Sequence, residues 1–132
     1  NLDPAQHLAI GKALQTLDCD NLLVIGSGFS FHNMRAFFSS NTDDSQQKNN
    51  EFEHWLHTTL TDKKLSEIDR NEKMTNWVKA PHARYCHPRE EHLLPLHICY
   101  GLAGRSSDEH ENVTILNKRS SAFVWRNQTN GM

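Results

Sequence analysis

Apolar and polar positions alternate with two different periods along the chain. Asp3-Pro4 followed by Leu8, Ile10, Ala13, Leu14 and Leu17 predicts a helix with Asp3 as N-cap and Pro4 in its first turn. A polar turn, Asp18 to Asn21, precedes Leu22-Leu23-Val24-Ile25, a continuous apolar run of the kind expected for a strand buried on both faces. Gly26 and Gly28 then take the chain out of that strand through an expected tight turn. Asn41 to Asn50 is polar throughout and reads as a loop. Phe52, Trp55, Leu56 and Leu60 recur at helical spacing, with Leu65 and Ile68 starting a shorter helix. Trp77 to Pro88 holds two prolines and no period, which predicts a structured loop. From His92 to Ala103 the apolar residues thicken into a buried helix that tolerates Pro95 in its first turn and stops at Gly104. Val113 to Leu116 and Ala122 to Trp125 predict two closing strands. This order implies an α/β fold, helices layered on a mostly parallel sheet, in a single domain over residues 1–132.

Composition narrows the function more than the fold. With 132 residues, 36% of them hydrophobic, the chain has enough apolar material for one core and no more. A net charge of −2 without any Lys/Arg block argues against a nucleic-acid partner. No apolar run approaches the ~20 residues of a membrane span, so no membrane partner is expected either. Cys19, Cys86 and Cys99 are odd in number and lack CxxC spacing, which points to reduced thiols and a cytoplasmic setting rather than a disulfide framework. The start at Asn1, without Met or a signal-like segment, reads as processed or truncated. Nine histidines are the composition's one departure from the ordinary.

Two segments concentrate chemistry. Gly26-Ser27-Gly28 fails the dinucleotide fingerprint because Phe31 stands where a third glycine is needed, and Ser27 has the wrong offset for a nucleophile elbow. What remains is an exit from the carboxyl end of a strand, where open α/β sheets place ligands, delivering His32 and Asn33. The second segment carries His82, His87, His92 and His97 at intervals of five. That spacing cannot form a two-histidine metal site on one helix face, unlike i, i+4. His97, inside the apolar helix, reads as a hydrogen-bonded core residue. His82 and His87 read as solvated loop residues, unless they line a site. His92 beside Glu91 has the best geometry for a metal ligand. His54 and His57, one turn apart, read as surface residues.

Leu22 to Gly28, His32-Asn33, Arg35, Phe52, Trp55-Leu56, Ala80-Pro81-His82-Ala83, His87-Pro88, Glu91-His92, Pro95-Leu96-His97, Gly101 and Ala103-Gly104 follow one another in an order that resembles the DOPA-dioxygenase branch of the class III extradiol ring-cleavage dioxygenases, the LigB superfamily. The resemblance implies a largely parallel sheet flanked by helices and a non-haem Fe(II), often replaced by Zn(II), that binds a catechol and O2. It implies His32 as the acid/base histidine, His92 as a metal ligand, and Asn33, His82 and His87 as candidate substrate-binding residues. The first two metal histidines of the family belong to an HG-S/A-P turn and an S-A-H-W strand end, and neither motif occurs here. The chain therefore resembles the C-terminal half of the family's fold. A complete Fe(II) or Zn(II) site would need ligands from an N-terminal half, and a complementary chain or self-association is the expected partner. Two alternatives stand beside this reading: a non-enzymatic binding protein on the same scaffold, and a zinc module built on His32, His92 and their neighbours.

Overall fold

A computed structural model describes residues 1–127. Helix α1 spans Pro4–Leu14, α2 Met34–Phe37, α3 Asp43–Thr61, α4 Glu67–Thr75, α5 Ala83–Cys86 and α6 Leu94–Ala103; strands β1 (Glu109–Ile115) and β2 (Lys118–Val124) close the chain. Helix α1 starts as its sequence predicts, with the Asp3 carboxylate accepting from the Ala5 N–H at 3.0 Å. It crosses α6 at backbone contact. A Cβ on Gly11 would sit 2.1 Å from the Ile98 carbonyl oxygen, and one on Gly101 would sit 2.4 Å from that of Leu8. Helix α6 carries Pro95 in its first turn and ends on Gly104 at φ 64, the left-handed cap that glycine adopts without a Cβ penalty.

Helix α3 overturns the loop expected over residues 41–50. Thr42 accepts from the Ser45 N–H at 3.1 Å while Ser45 Oγ accepts from the Thr42 N–H at 3.0 Å, a reciprocal cap. Asp43 and Asp44 then place negative charge on the positive end of the helix. Polarity here marks an exposed first turn rather than a missing helix. The far end is closed by Arg70 of α4, fully buried, whose guanidinium donates to the Thr59, Asp62 and Leu65 carbonyls. Those carbonyls would otherwise be without partners at a helix C-terminus.

Between these helices lies the core: Phe31, Phe52, Leu56, Leu60, Met74, Trp77, Leu93 and Tyr100, each at most 1% exposed. His97 sits among them as a core residue, its Nε2 2.8 Å from the Met74 carbonyl oxygen.

Strands β1 and β2 form an antiparallel hairpin in register from Glu109↔Val124 to Ile115↔Lys118. Leu116 and Asn117 turn it at φ 47 and 64, the both-positive pattern whose twist matches the flanking strands. Asn49 of α3 fastens β2 to the helix, bonding the Arg119 N–H and carbonyl at 2.7 and 2.9 Å.

The mostly parallel sheet is not there: among the described residues the sheet is this two-stranded antiparallel hairpin. The class is α/β, six helices and two strands. Leu22–Ile25 is the specific correction. It makes no backbone–backbone hydrogen bond among the described residues, and Leu23 and Ile25 are 79% and 77% exposed. A strand exists only beside a hydrogen-bonding neighbour, and none bonds this stretch among the described residues. No helix among the described residues is long and apolar enough to cross a membrane.

Candidate functional site

Gly26 and Gly28 do not make a tight turn: residues 22–29 run without one. They let an extended segment run against the entrance of α6. A Cβ on Gly26 would lie 2.6 Å from Cys99 Sγ and 2.8 Å from the Pro95 carbonyl oxygen; one on Gly28 would lie 2.3 Å from the His92 carbonyl oxygen. The Phe29 N–H donates to that same His92 carbonyl at 3.1 Å. Two residues on, Phe31 is buried edge-on against Phe37, and the His32 N–H donates to the Cys86 carbonyl at 2.9 Å. The segment is thus anchored on both sides of Ser30.

The result is an imidazole pair. The rings of His32 and His92 stack with centroids 3.5 Å apart and planes 16° from parallel. His92 is partly exposed, with Glu91 3.9 Å from its Nε2. Burial, and then the facing His92, hold His32 below the ordinary histidine range. A neutral imidazole with a free lone pair is a base near neutral pH. His92 also lines a cavity of about 650 Å³ between the Leu22–Phe29 stretch, α6 and β2, walled by apolar residues such as Leu23, Ile25, Leu96 and Phe123. A larger groove of about 860 Å³ runs along α3 past Glu51, His54 and Trp55, but neither histidine of the pair lines it. Chemistry follows the pair, not the larger volume.

The other sequence candidates lie at graded distances from it. Asn33 adjoins His32, and its side chain is committed at both ends. It caps α2 by accepting from the Ala36 N–H at 3.0 Å and donates to the Tyr85 carbonyl at 2.7 Å. His87 is not the solvated loop residue expected; α5 turns it fully inside, near Phe52 and Trp77. Its Nε2 donates to the Ser30 carbonyl, its Nδ1 meets no protein partner, and burial pulls it down to about 4. His82 faces away toward α3, its Nε2 2.7 Å from Glu51. His54 is exposed, whereas His57 stacks on His110 of β1 at 4.2 Å.

Sequence reasoning missed Glu53. This carboxylate is fully buried in α3, accepting from Ser30 Oγ at 2.8 Å and from Ser121 Oγ at 2.6 Å, with the Ser121 N–H donating to Ser30 Oγ. Burial raises it to about 7. Its signal was positional: with Asn49, Phe52, Leu56 and Leu60 it falls on the inward face of α3.

The donor set does not by itself make a metal centre. Among the described residues no three His, Cys, Asp or Glu side chains converge to hold an ion. Ring lone pairs lie in the ring plane, so the stacked imidazoles of His32 and His92 aim theirs side by side rather than at one point. Two histidines fall short of the three protein ligands typical of a catalytic metal.

The stacked imidazoles of His32 and His92 thus stand together in an α/β scaffold, His92 reaching a cavity of mixed apolar and polar lining. Residues 1–124 match the family described as the catalytic LigB subunit of aromatic ring-opening dioxygenase, and the chain belongs to that family. It is 34% identical over 107 residues to a 4,5-DOPA dioxygenase extradiol from Beta vulgaris, covering 81% of this chain and 38% of the relative. A 4,5-DOPA dioxygenase extradiol-like protein from Schizosaccharomyces pombe is 36% identical over 123 residues, covering 92% of this chain and 39% of the relative. The dioxygenase tasH of Hapsidospora irregularis is 34% identical over 113 residues, with shares of 76% and 33%. The chain thus spans well under half the length of these relatives.

Proposed function

We propose that this chain carries one side of an extradiol ring-opening site, in which His32 is the acid/base residue and His92 one metal ligand. What supports the reading is the His32–His92 stack, which joins the two motif histidines at 3.5 Å, together with the family match over residues 1–124. The substrate class is a catechol, with O2 as co-substrate. A catechol hydroxyl near His32 would lose its proton to the ring, which burial and the facing His92 hold below the ordinary histidine range. The cavity beside His92 offers apolar walls for a flat ring. Asn33, beside His32, and His87, beneath Ser30, hold the pair's surroundings in place, while His82 is held away from the pair by Glu51 of α3. The metal, Fe(II) or Zn(II), takes its remaining ligands from a complementary N-terminal-half chain, which also covers Leu23 and Ile25.

The test is metal per chain and single-turnover ring opening in the assembled enzyme. His92→Ala loses the metal. His32→Ala keeps it and slows ring opening by about two to four orders of magnitude, because a proton shuttle matters in the transition state and a ligand in the ground state. The assignment fails if His32→Ala loses the metal and His92→Ala retains it. The exposed Leu23 and Ile25 also support a second reading, a non-enzymatic interaction protein. An assembly that forms and never opens a ring would establish that one.

A further inference from the structure

Glu53, Ser121 and His110 form a continuous line from the core to the surface. Ser121 Oγ has a single hydrogen, and it points at Glu53 Oε2 over 2.6 Å. The His110 Nε2, 2.9 Å from that same oxygen, must therefore be the donor, so His110 carries its proton on Nε2 while Glu53 is ionised. His110 is half-exposed on β1, stacked on His57 of α3 and close to Phe123. Among the described residues Glu53 has no ion-pair partner in contact. Arg119 of β2 is the cation that acts on it, the Cys86 thiol of α5 faces it, and its direct partners are two hydroxyls. A carboxylate so placed has strong reason to take a proton.

We propose that Glu53 is a buried proton store that exchanges with solvent through Ser121 and His110. The transfer balances without any other reactant. A solvent proton adds to His110 Nδ1; the Nε2 proton passes to Ser121 Oγ; the Ser121 hydroxyl proton passes to Glu53 Oε2. Afterwards the Glu53 carboxyl donates to Ser121 Oγ, the Ser121 hydroxyl donates to His110 Nε2, and His110 is neutral with its proton on Nδ1. The Ser30 hydroxyl keeps its bond to Oε1 throughout. His110 suits the role of carrier: burial, then His57 and Arg119, hold it below the ordinary histidine range against an opposing pull from Glu111, so it passes a proton on rather than retaining it. Glu53, raised to about 7, is the stronger acceptor of the two. Nothing here depends on ring-opening activity.

The experiment is a side-chain NMR titration of this chain from about pH 8.5 to about pH 5.5, reading the Glu53 carboxyl carbon and the His110 ring nitrogens. The expected result is a change of His110 tautomer from Nε2–H to Nδ1–H with the same midpoint as Glu53. In Glu53→Gln position 53 no longer titrates, so neutral His110 keeps one tautomer across the range instead of switching. In Ser121→Ala the His110 tautomer no longer follows Glu53. The proposal is overturned if wild-type His110 keeps Nε2–H through the Glu53 transition, if Glu53 titrates in the ordinary carboxylate range, or if Glu53→Gln still switches. The wild-type titration alone decides the matter should either variant fail to fold.

Discussion

Replacing the buried charge of Glu53 by its neutral isostere should stabilise the protein, increasingly from about pH 4.5 to pH 7 and fully above that. The unfolded carboxyl titrates at 4.5 and the folded one at about 7. Between those values the folded state holds a proton that the unfolded state has released, so stability falls as pH rises. At ~1.4 kcal/mol per pH unit this displacement amounts to about 3 kcal/mol, lost by pH 8 and fully recovered below 4.5. Glu53→Gln mimics the protonated form and removes that slope. The variant should match the wild type near pH 4.5 and exceed it by about 3 kcal/mol at pH 8, read from urea midpoints at several pH values. His87 acts with opposite sign. Its folded value of about 4, against 6.5 unfolded, makes stability rise by a similar amount between those pH values. The wild-type curve blends both slopes, so the difference between the two proteins is the quantity to plot. A difference that is independent of pH, or a variant weaker than wild type at pH 8, would refute the reasoning.

Two further outcomes follow from the packing. Gly28→Ala places a Cβ 2.3 Å from the His92 carbonyl oxygen, which must retreat by about 1 Å with the Phe29 bond. The stack should open and the His32 imidazole should titrate higher, which a histidine NMR titration reads; an unchanged midpoint in a folded variant contradicts it. His97→Ala leaves a void and strips the Met74 carbonyl of its partner, a loss of about 2–4 kcal/mol in urea melts. Metal content in the assembled enzyme should not change, because His97 lies in the core and away from the pair.

Local signals were legible in the sequence and relational ones were not. Asp3-Pro4, Pro95 and Gly104 each carry a conformational requirement in a single residue, and α1 and α6 begin and end where those residues dictate. The hairpin announced itself by its two short apolar runs, although the strands begin several residues before those runs and leave Leu116 to the turn and Trp125 beyond the last strand. The first turns of α3 were illegible because their stability comes from a Thr42–Ser45 cap and charge placement, not from an apolar stripe. His32 and His92 stood out as residue types in motifs; their stacking is a fact of tertiary packing that no spacing encodes. Glu53 was hidden by its neighbours, since a charge beside His54 and Trp55 reads as surface until the inward face of α3 is drawn.

The misread strand and the correctly read histidine belong to one stretch of chain, and their difference has a physical cause. From Gly26 onward nearly every residue is fixed by something outside the stretch. The glycines touch α6, Phe29 bonds His92, Ser30 bonds Glu53, Phe31 enters the core and His32 bonds Cys86. Over residues 22–25 no backbone hydrogen bond is made among the described residues, and Leu23 and Ile25 face solvent. Four consecutive apolar residues are the pattern of a strand covered on both faces, which the described residues do not provide. A ladder partner from the proposed complementary half would satisfy the free backbone groups and the apolar side chains together, as no solvent contact can. The ordered end needs no such help, because its anchors come from α3, α5 and α6 of this same chain. The geometry of the histidine pair is therefore set locally, by contacts within residues 26–92 and α3, α5 and α6, while the exposed Leu23 and Ile25 flank its cavity.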